Sequence, residues 1–185
     1  MPLENNPPVI LTMTEFSTPL GPMLAGATVE GICLLEFRDR IRFEKEFAAL
    51  QNTLNAVIEQ GRNPFLDQLE TELQEYFSGE RKTFEVPLHI PGNEFAKSVW
   101  ETLLNIPYGT TCTYKEQADL MKNPKAIRAI ATANGRNRLA IIVPCHRVIG
   151  SNGSMTGYAG GIDKKKWLLK FEREHSDLPD GLLFK

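Results

Sequence analysis

About halfway along the chain the hydrophobic pattern changes its period, and any fold must accommodate that change. Up to about residue 90, apolar and β-branched residues come in short runs broken by turn formers. Residues 9–16 are rich in β-formers, and Thr18, Pro19, Leu20, Gly21 and Pro22 punctuate them as a turn. Residues 23–28 and 31–37 read as two further strands of a hairpin or meander. Residues 42–50 have helical spacing, and residues 65–77 repeat apolar side chains at three and four, an amphipathic helix that Gly79 ends. Residues 84–88 read as one more strand. The pattern predicts an α/β domain with a small antiparallel sheet over residues 1–90, its first eight residues a loose leader.

Ile90, Pro91, Gly92 and Asn93 mark a boundary, and the texture beyond them is helical. Residues 95–104 put Phe95, Val99 and Leu103 on one face, and the stretch from Ile106 to Gly109 closes that helix. Residues 113–121 form a short helix with Thr113 as N-cap. A turn at 122–125 brings Pro124 to the start of the next helix, residues 126–133. Two short helices joined this way outline either a helix-turn-helix or a plain corner between helices. An apolar run at 139–143, read as a strand, then delivers Pro144, Cys145, His146 and Arg147. A glycine-rich loop to residue 161 and a helix over 164–174 follow. This predicts a mainly helical domain over residues 91–175, containing a winged helix-turn-helix, with a tail at 176–185.

Composition narrows the chemistry. Residues 1–90 carry 7 Lys+Arg against 14 Asp+Glu, and residues 91–185 carry 14 against 9. The basic second half suits a polyanionic partner, or is a chance clustering of solvated charge; a total of −2 argues against indiscriminate DNA binding. No apolar run approaches the roughly 18–20 residues a bilayer requires. The start of the chain lacks the pattern of a signal peptide, so a cytoplasmic protein is expected, or a nuclear one in a eukaryote. Cys33, Cys112 and Cys145 have no C-x-x-C spacing, and His89, His146 and His175 are the only histidines. Neither a disulfide framework nor a metal site is expected. Cys145 beside His146 puts a soft nucleophile next to a base that works near neutral pH. Cys33 and Cys112 read as small buried hydrophobes.

From Phe95 to Glu172 the chain resembles the O6-alkylguanine-DNA alkyltransferases, also called methylated-DNA–protein-cysteine methyltransferases. The resemblance rests on residues 106–114, 123–129, 133–137, 143–148, 157–161, 166–169 and Glu172, in order and at matching spacing. It implies a repair protein that binds duplex DNA containing O6-alkylguanine, and also O4-alkylthymine, through the minor groove. The base leaves the stack, and its alkyl group moves irreversibly to Cys145, one lesion per molecule. By the same resemblance His146 withdraws the thiol proton through a water and Glu172 orients the imidazole. That requires the chain around His146 to turn, since neighbours in a regular strand face opposite ways. Tyr114 rotates the flipped nucleotide and Arg128 fills the space it vacates. Lys125, Ala126, Ala129 and Arg136 complete the DNA-contacting helix, where the small Ala126, Ala129 and Ala133 let it approach the groove. Asn137 tethers that helix to the cysteine loop. Tyr158 walls the base pocket, backbone groups near Val148 and Ala159 read the base edges, Gly160 lines the loop, and Lys165 lies near the mouth. Ala140 and Ala159 stand where some relatives carry Pro and Ser, which alters the breadth of the pocket. The resemblance implies a monomer with no cofactor, no metal and no membrane partner.

Three rivals compete. A non-catalytic alkyl-lesion-binding protein would lack the nucleophile that Cys145 provides. A Cys-His hydrolase would have no use for a helix-turn-helix carrying Arg128. A plain winged-helix regulator would not explain Cys145 beside His146.

Overall fold

The computed structural model describes residues 7–178. The expected leader therefore lies mostly outside the described residues, as does the expected tail beyond residue 178. Strands β1 (Val9–Thr18), β2 (Gly21–Thr28) and β3 (Gly31–Phe37) form an antiparallel meander. Helix α1 (Phe43–Leu54) then crosses over and returns the chain as β4 (Ala56–Gln60), parallel to β1. The sheet order is β3-β2-β1-β4, so the sheet is mixed, not antiparallel as expected. Parallel pairing needs a crossover connection, which α1 supplies; the five residues of β4 carry too weak an alternation to announce a strand.

One face of the sheet packs Leu11, Met13 and Cys33 against Leu50 of α1. The other face packs Phe16, Met23, Ile32, Leu35 and Phe37 under α2 (Pro64–Phe77) and merges with the core of the second half. That explains why all seven residues of β3 are buried. The open edge of β3 is covered by two short approaches: Ile32 bridges Leu88, and Leu35 bridges Leu139. Residues 84–88 and 139–143, expected as strands, each make only that one bridge. Pro87 has no N–H to extend the first pairing. In the second, Ile141 takes a left-handed backbone (φ 72°) and turns the chain away.

The second half holds α3 (Glu94–Leu104), α4 (Tyr114–Leu120), α5 (Ile127–Gly135) and α6 (Ile162–Glu174). A two-residue parallel pair, β5 (Cys112–Thr113) with β6 (Val148–Ile149), lies beside them. Asn93 caps α3 by accepting from the Ala96 N–H (2.8 Å). Thr113 and Glu116 cap α4 reciprocally. A 3-10 turn, Pro124–Ala126, leads into α5, completing the helix-turn-helix.

Helix α5 is fixed from inside by polar contacts. Asn134 Nδ2 donates to Gln117 Oε1 (2.7 Å), and Gln117 Nε2 returns a bond to Asn134 Oδ1 (3.3 Å). Trp100 Nε1 donates to the Ala133 carbonyl (2.9 Å). Ala133 is buried, so it serves packing and not an approach to a groove as expected. Replacing Asn134 with Ala leaves the buried Gln117 amide partly unpaired. We expect a loss of about 1–3 kcal/mol in urea unfolding.

Candidate active site

The site is built where the turn at 139–143, α6 and the N-terminal half meet. Cys145, His146 and Arg147 form a 3-10 turn, so His146 does not point opposite Cys145 as it would in a strand. Cys145 is 9% exposed and its N–H donates to Val143 O (2.8 Å). Asn137 is the knot of this region. Its Nδ2 donates to Val143 O (2.7 Å) and to Cys145 Sγ (3.2 Å), while its Oδ1 accepts from the Leu139 N–H (3.0 Å).

Burial pushes the Cys145 thiol up to about 11; the Asn137 hydrogen bond pulls the other way. Glu36 raises it further, and Lys165 and Arg40 lower it. Burial also raises Cys33 and Cys112, so acidity does not single Cys145 out. Its surroundings do: among the described residues, Cys145 alone of the three cysteines accepts a side-chain N–H, and it sits next to a base.

His146 is wholly buried, and its Nε2 lies 2.7 Å from Glu172 Oε1. Glu172 is wholly buried too. Besides His146, its Oε1 accepts from Tyr76 Oη (2.8 Å) and Arg147 Nη2 (2.9 Å). Its Oε2 accepts from Arg147 Nε (2.8 Å) and the Gly109 N–H (3.2 Å). Burial alone would raise this carboxyl, but His146 and Arg147 more than reverse that, so Glu172 stays well below the usual carboxylate range. An ionised carboxylate only accepts, so Nε2 of His146 carries the proton and Nδ1 keeps its lone pair. Burial lowers the His146 pKa, with Glu172 opposing, so the ring is neutral. Nδ1 is buried with no hydrogen-bond partner among the described residues, and it does not bond Sγ directly. The arrangement supplies a thiol, a free basic nitrogen and an orienting carboxylate.

The remaining expected residues fall into two groups. Around the thiol, Tyr158 is buried with its ring edge-on to His146 at 6.4 Å, and its hydroxyl has no hydrogen-bond partner among the described residues. Gly160 has no room for a Cβ, which would meet Tyr158 and Phe37 at 2.9 and 2.8 Å. Tyr114, at the first turn of α4, donates from Oη to Thr156 O (3.3 Å). Lys165 was expected near the pocket mouth; instead it is fully buried, with Nζ donating to Val148 O (2.6 Å) and Thr156 O (3.0 Å). Two carbonyls satisfy the amine inside, and burial brings it down to about 8. Ala159 is half-buried in the same loop. The second group lies on the surface: Lys125, Arg128, Ala129 and Arg136 are exposed along α5 and its ends, with Ala126 half-buried.

Sequence reasoning missed Tyr76, Arg147 and Gly109 as holders of Glu172, and missed Arg40. Arg147 lies in the tetrad, which was its signal. Tyr76 sits in the other half of the chain, 96 residues from its partner, and no local pattern marks it. Arg40 pairs with the buried Glu36 (2.5 Å) and donates to Gly135 O (2.8 Å) and Asn137 O (3.1 Å). It thereby clamps the end of α5 and Asn137 to the first half.

Comparison with known proteins agrees with this layout. Residues 94–174 match the family model "6-O-methylguanine DNA methyltransferase, DNA binding domain". Residues 11–90 match "6-O-methylguanine DNA methyltransferase, ribonuclease-like domain". The methylated-DNA–protein-cysteine methyltransferase of Methanosarcina acetivorans is 45% identical over 158 residues, 85% of this chain and 95% of that one. The constitutive enzyme of Bacillus subtilis is 42% identical over 163 residues, 86% and 94% of the two chains. The structure of Mycobacterium tuberculosis OGT in complex with DNA superposes with a TM-score of 0.75 at 36% identity, covering 91% of this chain and 95% of that one. This chain belongs to the 6-O-methylguanine-DNA methyltransferase family.

Glu172→Gln leaves Arg147 as a buried cation without its anion. We expect a loss of about 3–5 kcal/mol in chemical denaturation. The folded pKa of Glu172 is depressed, so its stabilisation is full above the unfolded carboxyl pKa of about 4.3 and is lost as pH falls below that. The variant should therefore show a shallower acid loss of stability than the parent between about pH 5 and pH 2.

Proposed function

We propose that this chain is a single-turnover DNA repair protein that moves the alkyl group of O6-alkylguanine in duplex DNA onto Cys145. The observation that carries this is a buried thiol, held by Asn137, beside a neutral imidazole that an ionised Glu172 orients. With Nδ1 of His146 holding a lone pair, the Cys145 proton passes to it by way of a water. The thiolate attacks the alkyl carbon. The S–C bond forms as the C–O6 bond breaks with its electron pair going to guanine, which takes up a proton from solvent and leaves neutral, while His146 gives the thiol proton back to solvent. The thioether has no leaving group to restore the thiol, so each molecule acts once.

Partner and placement follow from the same reading. Exposed Arg128 and Ala129 on α5 suit entry into a minor groove, where readout is degenerate and repair in any sequence is possible. Tyr114 and Arg128 manage the extruded nucleotide, and Lys125, Ala126 and Arg136 flank them. Tyr158, Gly160, Ala159 and the Val148 backbone form the base pocket, with Lys165 bracing its loop. We divide the chain near residue 90 into a companion domain and a DNA-binding, alkyl-accepting domain, with a tail from residue 176. The protein acts where the genome is, in the cytoplasm or, in a eukaryote, the nucleus. Among the described residues no helix is long and apolar enough to cross a membrane. No group of three or more His, Cys, Asp or Glu among them could hold a metal ion.

The test is intact mass after incubation with a duplex carrying one O6-methylguanine. A single methyl on Cys145, stoichiometric with lesion and absent in Cys145→Ser, is expected. Tight binding without a mass change would instead make it a lesion-binding protein. His146→Gln should slow transfer by about 10²–10⁴. The pH profile should change as well. The parent needs neutral His146, whose pKa burial lowers from the ordinary imidazole value, so its rate is flat through neutral pH and falls in acid. The variant relies on spontaneous thiolate, so its rate should climb about tenfold per pH unit toward the thiol pKa of about 11.

A further inference from the structure

A cleft of about 500 Å³ lies between α1 and the end of α5, and Cys145 does not line it. Arg40, Arg42, Lys45, Arg136 and Arg138 line it, with Glu46 the only carboxylate of the lining among the described residues. Arg40 is committed to Glu36 and two carbonyls. Among the described residues, no carboxylate lies within salt-bridge distance of Arg42, Lys45, Arg136 or Arg138. The Nε atoms of Arg40 and Arg138 are buried with no hydrogen-bond partner among the described residues. Burial holds the Arg138 guanidinium below its ordinary range; Glu46 opposes that, and Arg40 and Arg136 add to it. Arg42 keeps a left-handed backbone (φ 66°) at the start of α1, a conformation that disfavours a branched-from-Cβ residue. The four cations other than Arg40 face one carboxylate, and their mutual repulsion is relieved when an anion joins them.

Position says which anion. Arg128, Thr132 and Arg136 recur every four residues and are all exposed, forming one stripe along α5 that ends on its C-cap residue. Thr132 and Arg136 of that stripe are also walls of the cleft. Arg128 and Arg136 are about 12 Å apart along the axis, so a phosphate held in the cleft is a different one from any held at Arg128. Arg42 and Lys45 belong to the acidic half of the chain, yet both face the basic half here.

We propose that this cleft binds backbone phosphates of the duplex flanking the lesion, so that the companion domain extends the DNA footprint through Arg42 and Lys45. The inference rests on the alkyl-transfer reading for the presence of a duplex on α5. The contacts carry no sequence information; they add affinity and fix orientation.

The test uses the full chain with Cys145→Ser, which holds the lesion duplex without consuming it. Binding is measured over a series of salt concentrations for this protein and for Arg42→Gln/Lys45→Gln added to it. Each phosphate contact contributes about 0.9 to the slope of log K against log salt, so the double variant should lose roughly 1.8. Glu46→Gln should move affinity the other way, and it keeps the proposal testable if the double variant folds poorly. With Cys145 intact, the double variant should take the alkyl group from an O6-alkylguanine base free of DNA at the parent rate. An unchanged slope, with the parent still taking methyl from duplex DNA, would overturn the cleft and leave the repair function standing. A reduced slope, with no methyl transferred by the parent, would support the cleft and overturn the repair reading.

Discussion

The Glu172 carboxylate is the point on which the two halves of this protein agree. It lies at zero exposure and accepts from Tyr76 in the first half, Gly109 after α3, and His146 and Arg147 in the cysteine turn. A charge so placed is tolerable only when each lone pair is met. Moving any one of those segments leaves an anion or a guanidinium uncompensated in a low-dielectric interior. The same carboxylate sets the imidazole tautomer. Structural integrity and the proposed base therefore rest on one group.

A second tether acts from the opposite side. Asn137 gathers Val143 O, the Leu139 N–H and Cys145 Sγ, and Arg40 of the first half grips the Asn137 carbonyl. The turn at 139–143 is held to the sheet edge through Leu35. The first half thus acts as a scaffold for the proposed acceptor loop, although none of its residues belongs to the reacting set. Its buried Glu36 also raises the thiol, against the pull of Arg40 and Lys165. The resting thiol is kept neutral, and its activation is left to His146.

The α5 surface is prepared from beneath. The Gln117–Asn134 pair and the Trp100 bond to Ala133 O fix the helix from its buried side, which leaves Arg128, Ala129, Thr132 and Arg136 free to face outward. Helix α1 approaches the end of that stripe and adds the cations of the proposed phosphate cleft. Helix α5, the proposed acceptor loop and the first half are coupled through Gly135 and Asn137, whose carbonyls both accept from Arg40.

The sequence by itself determined most elements and pointed to the groups proposed to react. Turn formers at 18–22, the capping pattern at Thr113 and Glu116, and Pro124 at a helix start are local signals, and local hydrogen bonds enforce them. Cys145 and His146 were legible because they are neighbours in the chain, and Glu172 only through the family resemblance. What only the tertiary structure decided is long-range. The parallel pairing of β4, the reduction of residues 84–88 and 139–143 to single bridges, and the burial of Lys165 depend on neighbours far along the chain. Tyr76 meets Glu172 across 96 residues and Arg40 meets Asn137 across 97, and each side chain is unremarkable in its own neighbourhood. Sequence spacing encodes which groups recur on one face of one element. It does not encode which faces meet, because that follows from burying the whole core at once.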